Sequence, residues 1–219
     1  AMCALAQTDL KKLVAYSSIN HMGYAMLGMA SVIAASAMYG GNQAAAQAGL
    51  SGAVFQMFNH GTISAMLFIL VGVVYDRAHH RDIDGFGGLA KQMPLYSGMC
   101  MIAFFAGLGL PGFSGFVSEF MCFIGAFPVF KAIVIISTIG ILLNAAYFLS
   151  AYKRIFFGEL NEKYKDMPEI NNRELFTVVP LAAVTLLLGV YPRPFLDLIS
   201  NTIDHLIYQV TQIGGFAGF

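Results

Sequence analysis

The chain has 219 residues, of which 58% are hydrophobic and 11% charged, with zero net charge and a mean hydropathy of +0.69. Soluble domains carry about 25% charged residues, so these values exclude a soluble globular protein, and the lack of a basic excess excludes a nucleic-acid partner. They indicate an all-α integral membrane protein, because in lipid a helix satisfies its own backbone.

Ala1–Ala6 read as the tail of an earlier helix, and without Met at position 1 the chain reads as a fragment or one part of a split protein. Thr8-Asp9 before Lys11 and Lys12 reads as a helix start. The first span, 13–38, is lined with Ser17, Ser18, Asn20, His21, Gly23, Gly28 and Ser31. Small residues of this kind let membrane helices approach closely, and hydroxyls and amides bridge them. An uncharged linker, 39–49, leads to a second span, 50–75, with Asn59-His60-Gly61-Thr62 near its middle. The loop from Asp76 to Gln92 follows.

The third span, 93–127, is interrupted by Leu108-Gly-Leu-Pro-Gly-Phe-Ser-Gly-Phe-Val-Ser-Glu119. About 15 apolar residues precede the break and about a dozen follow it, and neither half reaches the roughly 20 needed to cross a bilayer. Together they do, so the run reads as one discontinuous helix. Pro111 removes a backbone donor, and Gly109, Gly112 and Gly115 permit the turns. Such a break survives in lipid only where it is buried in protein or lines a wet cavity. Pro128 ends the run. A fourth span, 129–157, holds Lys131, Asn144 and Lys153-Arg154. After a polar loop the final transmembrane helix, 174–191, carries Pro180. Beyond Pro192-Arg193-Pro194, the residues Leu196, Ile199, Ile203, Leu206, Val210 and Ile213 recur at helical spacing. They predict a C-terminal amphipathic helix on the surface or against a partner. The expected division is 1–157, four spans, and 158–219, the polar loop, the last span and the surface helix.

With the broken run counted as one span, Lys11, Lys12, Arg77, Arg81, Lys91, Lys153, Arg154, Lys163, Lys165 and Arg173 fall on one side. Only Arg193 and Lys131 fall on the other. The bias makes the basic side cytoplasmic, or the organelle equivalent, and puts the carboxyl terminus outside.

Four ionisable groups lie on successive spans: His21, His60, Glu119 and Lys131. An intramembrane acid marks a proton or ion path by default, and histidine titrates near neutrality. The plainer reading is a proline kink with a structurally protonated or paired Glu119, histidines joining helices, and Lys131 as an interfacial anchor. His79-His80 are adjacent and so do not share a helical face, which argues against a metal site there; Glu119 has no second carboxylate beside it in the sequence. The sequence carries no nucleotide loop, nicotinamide or flavin fingerprint, or iron–sulfur cysteine array. No cofactor or metal is expected in this chain.

Thr8-Asp9-Leu10-Lys11-Lys12-Leu13-Val14-Ala15-Tyr16-Ser17-Ser18 with His21-Met22-Gly23-Tyr24 resembles the antiporter-like subunits of NADH–quinone oxidoreductase, respiratory complex I. Asn59-His60-Gly61, Asp84-Gly85-Phe86-Gly87-Gly88-Leu89 and the run from Gly109 to Glu119-Phe120 look like the subunit M branch, since the sister subunits L and N usually carry Lys where Glu119 stands. The resemblance covers essentially the whole chain. It implies a fold of fourteen helices with two inverted five-helix repeats, each with a broken helix. This chain would hold the later helices of the second repeat and the final helix. It implies proton translocation along a central polar axis through Glu119, His60 and His21, with Lys11 as an orienting or anchoring residue. Quinone reduction in other subunits would drive it, and flavin, iron–sulfur clusters and quinone would reside there. Expected partners are those subunits, the missing first half of the fold and the lipid of an energy-transducing membrane. The same motifs occur in multisubunit cation/proton antiporters and membrane-bound hydrogenases, which stand as the alternative, and a purely structural spacer is a third reading.

Overall fold

The computed structural model describes residues 1–38 and 42–216, all of them helix, turn or loop apart from one isolated bridge. The helices are α1 (Met2–Leu5), α2 (Leu10–Met38), α3 (Gln43–Ala78), α4 (Leu89–Gln92), α5 (Pro94–Gly107), α6 (Ser114–Ala126), α7 (Lys131–Phe156), α8 (Asn172–Val190) and α9 (Arg193–Phe216). Among the described residues α3, α7 and α8 are each long and apolar enough to cross a membrane. At 29 residues α2 is long enough too, with Ser17, Asn20 and His21 diluting its apolar content.

The order along α3, whose 36 residues measure about 54 Å, shows how the interrupted span lies. A Cβ on Gly52 would sit 2.6 Å from the Cys122 nitrogen of α6. Asn59 bonds Ser114 and Ser118 at the start of α6. Further along, Leu67 lies beside Gly107 at the end of α5, and Leu70 O accepts from Tyr96 Oη at 2.9 Å. Moving up α3 therefore means moving back through α6 and then α5. The two halves follow each other end to end, at about 20 Å each, and form one discontinuous span rather than a hairpin.

The first helices differ in extent from the sequence reading. Helix α3 begins at Gln43, so only part of the expected 39–49 linker remains, and residues 39–41 of it lie outside the described residues. The Asn42 side chain accepts from Ala45 N at 3.1 Å and caps an alanine-rich first turn. The helix continues through Gly49 and Gly52 because α2 and α6 press against it there. Gly52→Leu is expected to prevent stable insertion of α6, read as loss of the chain from membranes, because the added side chain meets Cys122 and Met121 backbone rather than a movable side chain.

One end of the molecule is tied together by charge. Arg81 pairs with Asp9 at 3.2 Å, and Asp84 with Arg154. Arg77 grips Glu174 with two nitrogens, at 2.8 and 3.0 Å, and also donates to the Pro168 and Glu169 carbonyls. These links gather the start of α2, the end of α3, the end of α7 and the start of α8. Glu169 in turn accepts the Leu95 and Tyr96 amides, capping α5 from a distant loop. His80 of the following loop bonds Tyr164 Oη and stacks on Phe86, with ring centroids 4.5 Å apart. The hydrogen bond and charge of Arg154 hold the exposed Asp84 carboxyl below its ordinary range. With the native value lowered, the stabilisation is present above the unfolded carboxylate value and is lost as pH falls through the native one. Asp84→Asn is expected to lower stability at pH 7 by the small contribution of this exposed pair, to match the parent at the acid end and so to flatten the dependence between, checked by thermal unfolding of the purified protein at pH 3 to 7.

Helix α8 starts with a reciprocal Asn171–Glu174 capping box. It ends beside the interruption, where Gly189 packs directly on Gly112 and Phe113. After Pro192 the chain continues as α9. Phe195 stacks on Phe55 and lies against Phe58, at 4.9 and 4.7 Å, and Asp204 Oδ1 accepts from Gln47 at 2.9 Å. The apolar side of α9 rests on this chain's own α2 and α3, with Ile203 and Ile207 buried against Val32, Ala35, Ala45 and Ala46. The packed row is centred on Ile207, whereas Leu206 is 43% exposed; the Ile213 side chain lies outside the described residues.

Candidate functional site

The break is closed by its own backbone and by one side chain. The last carbonyls of α5 are all taken: Phe104 O by Leu108 N, Phe105 O by Leu110 N, Ala106 O by Gly109 N, and Gly107 O by Asn144 Nδ2 at 2.9 Å. That accounting is what allows a helix to stop inside a membrane protein. Gly109 and Gly112 have φ of +76° and +102°, where a side chain is strained. Asn144→Leu is expected to leave Gly107 O buried without a partner and cost about 1–3 kcal/mol, read as a lowered thermal midpoint of the solubilised protein.

The turn brings Glu119 to the interruption. Its carboxylate lies against Gly109, where a Cβ would come within 2.7 Å of Oε2. Its other oxygen, Oε1, meets His21 Nδ1 at 2.9 Å. Glu119 is 4% exposed and His21 6%, so the pair is secluded in this chain. The His60 ring stands 5.7 Å from the His21 ring between centroids, within reach of a single bridging water. Ser64 Oγ lies 3.3 Å from His60 Nδ1 and 3.1 Å from its Nε2.

These groups share a narrow cavity with Ser17, Gln56, Ile63, Ser64, Leu67, Ala106 and Gly115. Gln56 joins the cavity to a second polar string behind its wall, in which Asn59 Nδ2 donates to Ser118 Oγ at 3.0 Å and Ser118 donates to Gln56 Oε1. Beyond it Asn59 Oδ1, Ser114 Oγ and Asn144 Oδ1 are buried with no hydrogen-bond partner among the described residues. Polar atoms left so in an interior call for water, and their placement around the break makes this the wettable part of the interior.

Three of the four ionisable groups singled out in the sequence thus converge. Lys131 does not join them: it is exposed in the first turn of α7. Lys11 is exposed in the first turn of α2, at the basic end, away from the cavity. Of the glycines and proline of the break, Gly109 touches the acid, Gly115 lines the cavity, and Pro111 and Gly112 form its exposed turn. Sequence reasoning left Gln56, Ser118, Tyr147 and Glu169 unassigned. Gln56 and Ser118 carried a signal, since each lies about one helical turn from a residue already chosen, Gln56 before His60 and Ser118 after Gly115. Glu169 carried none, because its partners are 73 and 74 residues away.

The family described as NADH:quinone oxidoreductase/Mrp antiporter, transmembrane, matches residues 1–144. The chain belongs to this family. Among similar proteins, NADH-quinone oxidoreductase subunit M of Rhodobacter capsulatus is 46% identical over 208 residues, 94% of this chain and 38% of that one. F(420)H(2) dehydrogenase subunit M of Methanosarcina mazei is 37% identical over 214 residues, 98% of this chain and 41% of that one. A chain of respiratory complex I from Thermus thermophilus with bound NADH superposes with a TM-score of 0.79 at 28% identity, covering 93% of this chain and 41% of that chain. The fold is shared by an archaeal membrane-bound sulfane sulfur reductase, with a TM-score of 0.74 at 24% identity, covering 86% of this chain and 29% of that one. The chain spans about two fifths of the length of the curated relatives it matches. As a member of the antiporter transmembrane family it has the expected all-α membrane architecture with a discontinuous third span.

Proposed function

We propose that this chain is the proton-translocating portion of a membrane-arm subunit of NADH–quinone oxidoreductase, corresponding to the later half of subunit M. The observation that carries the reading is the buried His21–Glu119 pair seated on the glycine of a broken helix. A carboxylate and an imidazole at hydrogen-bonding distance exchange one proton according to the charge around them. His60, whose ring stands beside that of His21 in the same cavity, delivers or takes that proton. Lys131, at the opposite end of α7 from the basic cluster, stands toward the outlet, and Lys11 orients α2 at the basic end. Quinone reduction in other subunits supplies the energy, with flavin, iron–sulfur clusters and quinone held there.

The remaining half of the antiporter-like fold and the sister membrane subunits are the partners. The division at residue 157, between the helical repeat and the terminal span with its polar loop, is part of this reading. The concentration of Lys and Arg at one end supports a cytoplasmic or matrix basic side in an energy-transducing membrane, with the carboxyl terminus outside. The competing reading, a subunit of a cation/proton antiporter or hydrogenase, is favoured by the Mrp antiporter members of the same family. Inverted vesicles containing the assembled complex separate the two. NADH-driven acidification in sodium-free buffer is expected; vesicles that fail to pump with NADH yet exchange protons for a sodium gradient would overturn the oxidoreductase reading.

A further inference from the structure

The polar string behind the Glu119 cavity has its direction fixed at one end. Ser114 O is a carbonyl and can only accept, so the side-chain atom of Asn59 that lies 2.9 Å from it is the amide nitrogen. The second hydrogen of that nitrogen goes to Ser118 Oγ at 3.0 Å. Ser118 Oγ therefore accepts from Asn59 and has one hydrogen left to give. Gln56 Oε1 lies nearer to it than the Ser114 and Gly115 carbonyls, at 3.2 and 3.0 Å, and receives it. With its oxygen held by Ser118, the Gln56 amide turns its nitrogen the other way. Gln56 is 2% exposed and lines the cavity, and its Nε2 has no acceptor among the described residues. His60 stands one turn further along the same face of α3.

A buried N–H without a protein acceptor calls for water, and the cavity has room for one. We propose that Gln56 is a positioning residue for proton transfer: its Nε2 donates to a water standing between His60 and the His21–Glu119 pair, and the string through Ser118 to Asn59 keeps that donor aimed. This role rests on the transfer reading of the cavity. Held through one lone pair by Gln56, the water keeps the other to take a proton and turns both its hydrogens toward acceptors. It takes a proton on one side, gives one of its own on the other, and remains water. Donors that all run one way along a string strengthen each bond in it. Gln56 neither gains nor loses a proton, and acts only through the water it holds.

The test uses the whole complex in its native membrane. Gln56→Met matches the side chain in length and volume but has no donor. At matched assembly it is expected to lower NADH-driven pumping roughly fivefold and to move the pH of half-maximal pumping by about half a unit or more. Ser118→Ala, which frees the amide to turn, is expected to shift the same two readouts by less. A map of the parent complex that resolves buried waters is expected to show one within hydrogen-bonding distance of both Gln56 Nε2 and His60, and Gln56→Met is expected to lose or displace it. Where Gln56→Met fails to assemble, Ser118→Ala and the parent map decide. A loss of pumping that is equal at every pH marks a packing defect and overturns the proposal, as does a Gln56→Met variant that pumps like the parent. So does a parent map in which Gln56 Nε2 bonds a protein acceptor. Glu119→Gln keeps the two readings apart. If it pumps normally, the transfer reading falls and this one with it; if it fails while Gln56→Met pumps normally, only this one falls.

Discussion

Glu119→Gln is expected to abolish proton pumping while the complex assembles normally. The amide matches the carboxyl in shape, keeps an acceptor for His21 Nδ1 at the 2.9 Å position, and still fits against Gly109. It cannot gain or lose a proton in the working range, so the pair loses its only exchangeable acid. Pumping should fall at least tenfold, equivalent to about 1.4 kcal/mol or more on the limiting step. The measurement is NADH-driven acidification of inverted vesicles, normalised to complex recovered on a native gel. Full pumping with full assembly would make this chain a spacer between other subunits, with the buried pair a packing device.

The second large effect separates the shape of the break from the chemistry held on it. Gly109→Ala and Gly112→Ala each force a side chain into positive φ, at +76° and +102°, costing about 1–2 kcal/mol. Their surroundings differ. A Cβ at Gly112 meets nothing within 4 Å, whereas one at Gly109 comes within 2.7 Å of Glu119 Oε2. Both variants should lose comparable thermal stability, and only Gly109→Ala should push the carboxylate off His21 and lose most of the pumping. Equal pumping losses at matched assembly would show that the acid's seat on Gly109 has no functional weight.

The discontinuous helix was legible before any coordinates because it is a local conflict: a Pro/Gly segment inside an apolar run too long for one half and too short for two spans. Pro180 shows the limit of such reasoning. It is also a proline in an apolar run, yet it is accommodated inside α8, three residues past Thr177 and well before the helix ends at Val190. The difference lies in the glycines, which flank Pro111 on both sides and let the chain turn. The histidines were legible as ionisable groups at depth. That His21 takes the carboxylate while His60 stands behind it depends on how α2 and α3 rotate about their own axes.

Composition and periodicity by themselves determined that the chain is helical and membrane-embedded and where its third span breaks, since each of these follows from a residue's preference for lipid, water or a turn. Tertiary packing alone decided which nitrogen meets Glu119, that Asn144 and Glu169 cap α5 from distant segments, and that α9 rests on α2 and α3. Those outcomes turn on distances between helices far apart in the chain, where angstroms separate a hydrogen bond from none and no local preference records them.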